Sequence, residues 1–203
     1  MNSELYCLLL LGLSVSVLSA DSLEAAAKTL VESEVHDIAE PNEASTKLHD
    51  LLYNATGEDN CVLILKDDPK LIGSGSALQL KDMNRTIVVL PLRANATHDD
   101  NLKFYPQMRD YLDEIKKPFH ECIKSLEDIA NVLGEIAKKT AEQFHFHAYF
   151  LAVWEGDGAV PFSAISRVEE AESFLAVSST SNATLCSEPK ETLPYEIITF
   201  ISL

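Results

Sequence analysis

Residues 105–154, with the sequence YPQMRDYLDEIKKPFHECIKSLEDIANVLGEIAKKTAEQFHFHAYFLAVW, decide the fold of this chain of 203 residues. Between residues 111 and 137 the apolar residues recur at steps of three and four, with charged residues between them, which predicts one amphipathic helix. From Phe144 the spacing changes to two, which predicts a β-strand that runs to Trp154. Pro118 lies inside the helical run, where we expect a kink or a short break.

The rest of the chain must pack against this helix and this strand. Two shorter helices are predicted at residues 21–38 and 43–53, and Pro41 is expected to end the first. Apolar, β-branched runs predict further strands at residues 61–65, 86–92, 160–168, 174–177 and 195–203. The fold class that follows is α+β, with a long kinked amphipathic helix and N-terminal helices packed on an antiparallel β-sheet.

The chain also divides into two halves at a polar connector. We predict that residues 21–98 form an N-terminal helix–strand half and that residues 99–203 form the long helix with its antiparallel strands. Each half contains a helix followed by strands, although no internal sequence repeat is recognisable. One compact domain accommodates both halves at this length.

The first twenty residues predict export from the cell. An apolar run at residues 8–18 is followed by small residues, a pattern typical of a secretory signal peptide that covers residues 1–20. This run is too short to span a bilayer, and no later run is long enough, so we expect no membrane span. Four sequons predict N-glycosylation at Asn54, Asn84, Asn95 and Asn182. The expected location is therefore extracellular.

The charge of the chain excludes some partners. The formal net charge is −16 at pH 7, which opposes binding to nucleic acid and to anionic membrane surfaces. An extracellular protein or a small apolar ligand remains as the partner class. The acidity itself fits either general solubility or a basic partner.

Three cysteines remain after removal of the signal peptide: Cys61, Cys122 and Cys186. In an oxidising compartment they predict one disulfide and one odd thiol, or an intermolecular bridge. All three pairings stay open, and we favour Cys61–Cys122 because Cys122 lies on the apolar face of the predicted helix. The odd cysteine leaves a disulfide-linked dimer open.

Residues 143–147, QFHFH, form the most suggestive chemical motif. Two His residues two apart on a strand project from one face, which suits two ligands of one metal ion. The five residues resemble the zinc-binding strand of the α-type carbonic anhydrases, which implies a metal-dependent enzyme with His145 and His147 as ligands. That family needs a third His on a following strand, and this chain has none after His147. We therefore expect no cofactor and assign no catalytic residue, and the alternative that stays open is a non-enzymatic metal site completed by Glu155, Asp157 or another carboxylate.

The order of long helix, strand, Gly-bearing turn and return strand resembles the cystatin family. In that family the helix packs across an antiparallel sheet, and a first hairpin loop of Gln-x-Val-x-Gly type inserts into cysteine proteases. Residues 152–156, AVWEG, stand at that loop, and residues 193–195, LPY, stand at a second one. The resemblance implies a protease inhibitor that uses the 152–160 hairpin.

Trp154 is the only tryptophan and precedes the predicted turn at residues 155–158. Aromatic residues beside rigid turns often anchor interfaces, so Trp154, Glu155 and Asp157 are candidate partner-binding residues. The alternative, in which Trp154 closes the end of the core, stays open. The leading functional prediction is a secreted, N-glycosylated binding protein without enzymatic activity, and the alternative is a protease inhibitor with a cystatin-like hairpin.

Overall fold

The computed structural model describes residues 20–65, 69–73, 76–93, 106, 109–111, 113–115, 117, 119, 121–156, 162–167 and 174–203. The predicted signal peptide lies outside these residues except for Ala20. The predicted boundary between the two halves, near residue 98, also lies outside them.

The two N-terminal helices form close to where they are predicted, although Pro41 starts a helix rather than ending one. Helix α1 spans Ala20–Leu30 and runs into a π-helical turn, Val31–Val35, and helix α2 spans Pro41–Thr56. Proline suits the first position of a helix because the N–H that it lacks has no intrahelical partner there. The Glu40 carboxylate caps α2 by accepting a hydrogen bond from the N–H of Glu43 at 2.9 Å.

Within the described residues, eight strands form two antiparallel sheets. Their bounds are β1 Asn60–Leu65, β2 Lys70–Gly73, β3 Leu78–Asp82, β4 Arg85–Pro91, β5 Ala148–Glu155, β6 Phe162–Arg167, β7 Phe174–Thr184 and β8 Thr192–Ser202. The first sheet has the strand order β3-β4-β1-β6, and the second sheet has the order β2-β5-β8-β7. Every pair of neighbouring strands is antiparallel.

The two halves of the chain exchange one strand each. Written from its other edge, the second sheet has the order β7-β8-β5-β2. This order matches the order β3-β4-β1-β6 of the first sheet if each of the strands β1 to β4 is taken to correspond, in chain order, to one of the strands β5 to β8. In each half a helix precedes four strands, and the second of these strands completes the edge of the opposite sheet. The chain is therefore a topological repeat with exchanged edge strands.

The sheets pack face to face, with helices on both outer surfaces. Side chains of both sheets, including Leu63 and Phe200, form the inner layer. Leu48 of α2 belongs to the cluster on the outer face of the first sheet. Helix α3, Leu126–Phe144, covers the outer face of the second sheet with residues such as Leu133. The α+β prediction is confirmed, with two sheets in place of the single sheet expected.

Where the structure describes it, the predicted long helix is helical in two places with a non-helical segment between them. Helical residues are described at 106, 109–111 and 113–115, whereas residues 121–125 are not helical. Ile123 forms a parallel bridge with Leu185, and Ser125 caps α3 by accepting a hydrogen bond from the N–H of Asp128. The apolar spacing continues through the break because Ile123 is buried against the same sheet as α3. Pro118, the predicted kink, lies outside the described residues.

Strands β5 and β6 do not form the predicted hairpin. Strand β5 pairs with β8 and β2, whereas β6 pairs with β1 in the other sheet. The connecting residues 157–161 lie outside the description. Leu193 and Tyr195, expected in a second loop, lie within β8 and are buried. The two segments that resemble cystatin loops therefore do not form a pair of hairpin loops.

The disulfide joins Cys122 to Cys186, so the favoured pairing Cys61–Cys122 is wrong. The bridge between Ile123 and Leu185 brings the adjacent cysteines together, with their Cα atoms 5.0 Å apart. Cys122 is exposed in the non-helical segment rather than placed on a helix face. Cys61 is fully buried in β1, and burial raises the pKa of its thiol far above the ordinary range. A disulfide between two copies through Cys61 would require the sheets to separate.

Candidate functional site

A groove of about 560 Å³ lies between the edge strand β2 and helix α3. Ligand sites in proteins commonly measure about 300–1,000 Å³. The groove is lined by Leu71, Ile72 and Gly73 of β2, by Tyr149 of β5, and by Asn131, Gly134, Glu135 and Lys138 of α3. The four helical residues are spaced by three, four and seven positions, so they share one face of α3.

Two contacts fix β2 against α3. The ammonium of Lys70 lies 3.2 Å from the carboxylate of Glu127 in the first turn of α3. Further along, Gly134 approaches Ile72 so closely that a Cβ at this position would lie 2.6 Å from Cδ1 of Ile72. Glycine is unfavourable inside a helix, and here its small size permits the close contact between helix and strand. The groove therefore has a fixed wall at Gly134.

The electrostatics of the groove are mixed. Burial raises the pKa of Tyr149, and the carboxylates of Glu135 and Glu142 raise it further. The phenol is therefore protonated at neutral pH and can donate a hydrogen bond. Glu135 and Lys138 lie one helical turn apart on the rim and are both exposed. The groove thus offers an apolar floor with a donor and charges of both signs.

The corresponding position in the first sheet is closed by direct contacts. There α2 packs on the exchanged strand β6, and the Ser166 hydroxyl lies 2.9 Å from the hydroxyls of both Ser45 and Thr46. Because the two halves share one topology, the open space between helix and exchanged strand is specific to the pair β2 and α3. The groove is therefore a local feature of the second half and not a necessary product of the fold.

Of the predicted partner-binding residues, Trp154 and Glu155 do not line this groove. Trp154 is only 5 % exposed and belongs to the layer between the sheets, so the exposure that an interface anchor needs is absent. The alternative, in which Trp154 closes the core, agrees with this burial. Glu155 is exposed at the end of β5, and Asp157 lies outside the described residues.

The predicted pair of His ligands is not formed. Helix α3 extends to Phe144, and His145 ends it in the left-handed conformation at φ 56°. Strand β5 begins only at Ala148, so His145 and His147 are not on one face of a strand. Both side chains are exposed. Within the part of the chain that the structure describes, no group of three His, Cys, Asp or Glu side chains is arranged to hold a metal ion.

Three of the four predicted glycosylation sites can be placed. Asn54 lies near the end of α2, Asn84 in the turn between β3 and β4, and Asn182 on β7, and all three are exposed. Asn95 falls outside the described residues. None of the placed sites lines the groove.

Most groove residues carry no signal that sequence analysis could use. Glu135 and Lys138 resemble any charged pair on the solvent-exposed face of a helix. Gly134 is the exception, because an isolated glycine inside a strongly periodic helix often marks a close contact. Strand β2 comes from the other half of the chain, so its place beside α3 is not predicted by local spacing.

The described helices include none that is both long and apolar enough to cross a membrane. Comparison of the chain with models of protein families, with curated proteins and with solved structures finds no match.

Proposed function

We propose that this chain is a secreted glycoprotein that binds an extended peptide segment of an extracellular protein in the groove between β2 and α3. The observation that carries the proposal is the open groove beside an edge strand, at a position that the other half of the fold closes. An edge strand has backbone N–H and C=O groups that an added strand can pair with. Peptide recognition by strand addition uses such edges.

The lining of the groove suits a peptide. Ile72, whose side chain faces the outer cluster beside α3, supplies apolar surface for one side chain of the peptide, while Asn131 supplies an amide for its backbone. Glu135 and Lys138 can pair with peptide charges of either sign. A purely apolar ligand would make no use of these charged groups, whereas a peptide can pair with them.

Secretion and glycosylation belong to the same proposal. The signal-like segment at residues 1–20 and the four sequons support it, and the Cys122–Cys186 disulfide is of the kind that persists in oxidising compartments. Glycans on Asn54, Asn84 and Asn182 would leave the groove accessible, since these residues do not line it.

The test uses two adjacent lysines as a matched pair. Lys138 lines the groove, whereas Lys139 is exposed and does not line it. Peptides are selected from a random linear library on the glycosylated wild-type chain, and their affinities are measured by titration calorimetry. We expect Lys138→Glu to change the affinity by about tenfold or more, since the reversal introduces like-charge repulsion or a new attraction. Lys139→Glu should leave it within about twofold.

Hydrogen exchange locates the bound peptide. Binding should protect the backbone N–H groups of β2 that point away from β5, because strand addition places them in a ladder. Failure to select any peptide, or equal effects of the two lysine variants, would contradict the proposed site. Protection elsewhere in the chain without protection of β2 would move the site away from the groove.

A further inference from the structure

Strand β7 forms the edge of the second sheet opposite β2 and is unusually long for an edge strand. It spans Phe174–Thr184, eleven residues, and pairs with β8 over its full length. The other three edge strands have four to six residues. A long open edge invites pairing with another chain unless it is protected.

The backbone groups of β7 show which residues face the open edge. The N–H of Ile123 donates to the C=O of Thr184 at 2.9 Å, and the N–H of Cys186 donates to the C=O of Ile123 at 2.8 Å. The N–H of Leu185 instead donates to Glu191, across the turn to β8. Main-chain direction alternates along a strand, so the even-numbered residues from Phe174 to Asn182 direct their N–H and C=O groups away from β8. For these groups the described residues provide no backbone partner.

Apart from the sequon at Asn182, the composition of β7 lacks the usual protections of an edge. Natural edges carry charges, proline or bulges that prevent pairing. Residues 174–184, FLAVSSTSNAT, contain no charged residue and no proline, and the register with β8 is continuous. By contrast, Lys70 lies on β2, Lys81 on β3 and Arg167 on β6. In a chain with net charge −16, an uncharged strand is where two copies approach with least repulsion.

We propose that β7 pairs with β7 of a second copy of this chain, antiparallel and centred on Ser178. This register places Ala176 opposite Thr180 of the second copy and Phe174 opposite its Asn182. Every pair then joins residues whose main-chain groups face the edge, which permits about ten new hydrogen bonds. The bridge of Ile123 to Thr184 limits the free edge to residues 174–182, and this length matches the register.

Side-chain size favours the pairing. Ala176, Ser178 and Thr180 are small and exposed on one face of β7, while Leu175 and Val177 on the other face are half-buried against the hydrophobic cluster on the outer face of the second sheet. The two second sheets become one sheet of eight strands. The β2 grooves then lie at its two outer edges, so the dimer would carry two copies of any site located there.

The proposal is tested on the full secreted chain by sedimentation equilibrium. A strand edge is a small interface, so we expect a Kd of about 10 μM and mostly dimer at about 100 μM. Ser178→Lys places two like charges opposite each other and should weaken dimerisation about tenfold or more. Gln79→Lys is the matched control because Gln79 is exposed on β3, the topological counterpart of β7, and it should leave the Kd within about twofold.

Further variants make the outcome decisive. Ser178→Pro removes an N–H that points away from β8, so it should abolish the dimer while the far-ultraviolet circular dichroism is retained. A monomer at about 100 μM, or equal weakening by Ser178→Lys and Gln79→Lys, would overturn the proposal. A dimer seen only with Asn182→Gln would mean that the glycan blocks the edge, which also overturns it for the secreted chain. Protection of β7 amides only in the presence of a different protein would assign the edge to that protein instead.

Discussion

Trp154 of β5 lies directly opposite Glu196 of β8, and both side chains are buried in the register of the second sheet. Trp154 belongs to the layer between the two sheets, and residues directly opposite on neighbouring strands share a face. Oε2 of Glu196 has no hydrogen-bond partner in the structure as described. At this end of the inner layer a buried tryptophan therefore lies beside a buried carboxylate. We expect the packing of Trp154 to contribute to the free energy of unfolding.

Truncation of Trp154 should destabilise the fold. We expect Trp154→Ala to lower the free energy of unfolding by about 3–5 kcal/mol, because it removes a buried aromatic side chain and leaves a cavity. Glu155→Ala is the neighbouring control, and since Glu155 is exposed it should change stability by less than about 0.5 kcal/mol. Urea unfolding followed by circular dichroism measures both. Similar stabilities for the two variants would contradict the burial of Trp154.

Loss of the Cys122–Cys186 disulfide should be costly. The bridge closes a loop with a sequence separation of 64 residues, for which chain entropy predicts about 4 kcal/mol. The double variant Cys122→Ala, Cys186→Ala should lose about this much stability in urea unfolding. In the native secreted chain a thiol reagent should find no reactive cysteine, and denaturation should release one thiol, that of Cys61. Rapid labelling of Cys61 without denaturant would show that the sheets open.

Thr86 provides a test of the buried hydroxyl and of glycosylation at once. Thr86 is 1 % exposed, and its Oγ1 has no hydrogen-bond partner among the described residues. Thr86→Val preserves the shape and removes the unpaired hydroxyl, so it should raise the free energy of unfolding by about 1 kcal/mol in deglycosylated protein.

The same substitution destroys the sequon at Asn84, and mass spectrometry of secreted protein should show one glycan fewer. Asn84→Gln is the control, since Asn84 is exposed and its replacement removes the glycan without touching the core. An unchanged mass in both variants would exclude glycosylation at Asn84. Destabilisation by Thr86→Val would instead imply a hydrogen-bond partner for the hydroxyl.

Stability at alkaline pH should depend on Tyr111. Burial raises the pKa of this phenol to about 12, against the opposing effect of its hydrogen bond to Thr199 at 3.0 Å. Its stabilising effect is complete below pH of about 10, where the tyrosine of the unfolded chain is still protonated. Stability then falls as pH rises to about 12, by roughly 3 kcal/mol at most.

Tyr111→Phe should therefore show a shallower decline of stability between pH of about 10 and 12. Urea unfolding at several pH values measures this difference. Tyr53→Phe is the control because Tyr53 is 47 % exposed. Cys61 contributes a decline of the same sign in both variants and so cancels from the comparison. Parallel pH profiles for the two variants would contradict the assignment to Tyr111.

Local patterns predicted most of the elements but few of their partners. The strands at residues 61–65 and 86–92 were predicted correctly because apolar, β-branched runs are a local property. The pairing of β6 was wrong, since a Gly-bearing turn after β5 favoured a hairpin and nothing local indicates a strand exchange. The prediction placed His145 in a strand because Phe and His alternate from residue 144 to residue 147, with the two-residue period that is typical of strands. This segment is instead the end of a helix.

Strand β7 was predicted too short for a related reason. Beyond Val177 the residues of β7 are mostly Ser, Thr and Asn, which are typical of loops. Its side chains are exposed on one face and only half-buried on the other over residues 175–182, so no apolar alternation indicates a strand. The pairing with β8 holds this segment in place. The groove escaped prediction because its two walls come from different halves of the chain.

The exchange of β2 and β6 has a consequence for how the protein must be made. Strand β1 is central in the first sheet and all six of its residues are buried, yet one of its two neighbours, β6, is synthesised about a hundred residues later. A nascent chain that has emerged only as far as β4 therefore presents an uncovered apolar strand edge to its surroundings. We expect that the first half cannot fold stably until β6 emerges. It therefore depends on chaperones during that interval. Two fragments cut between the halves should fold only when they are mixed.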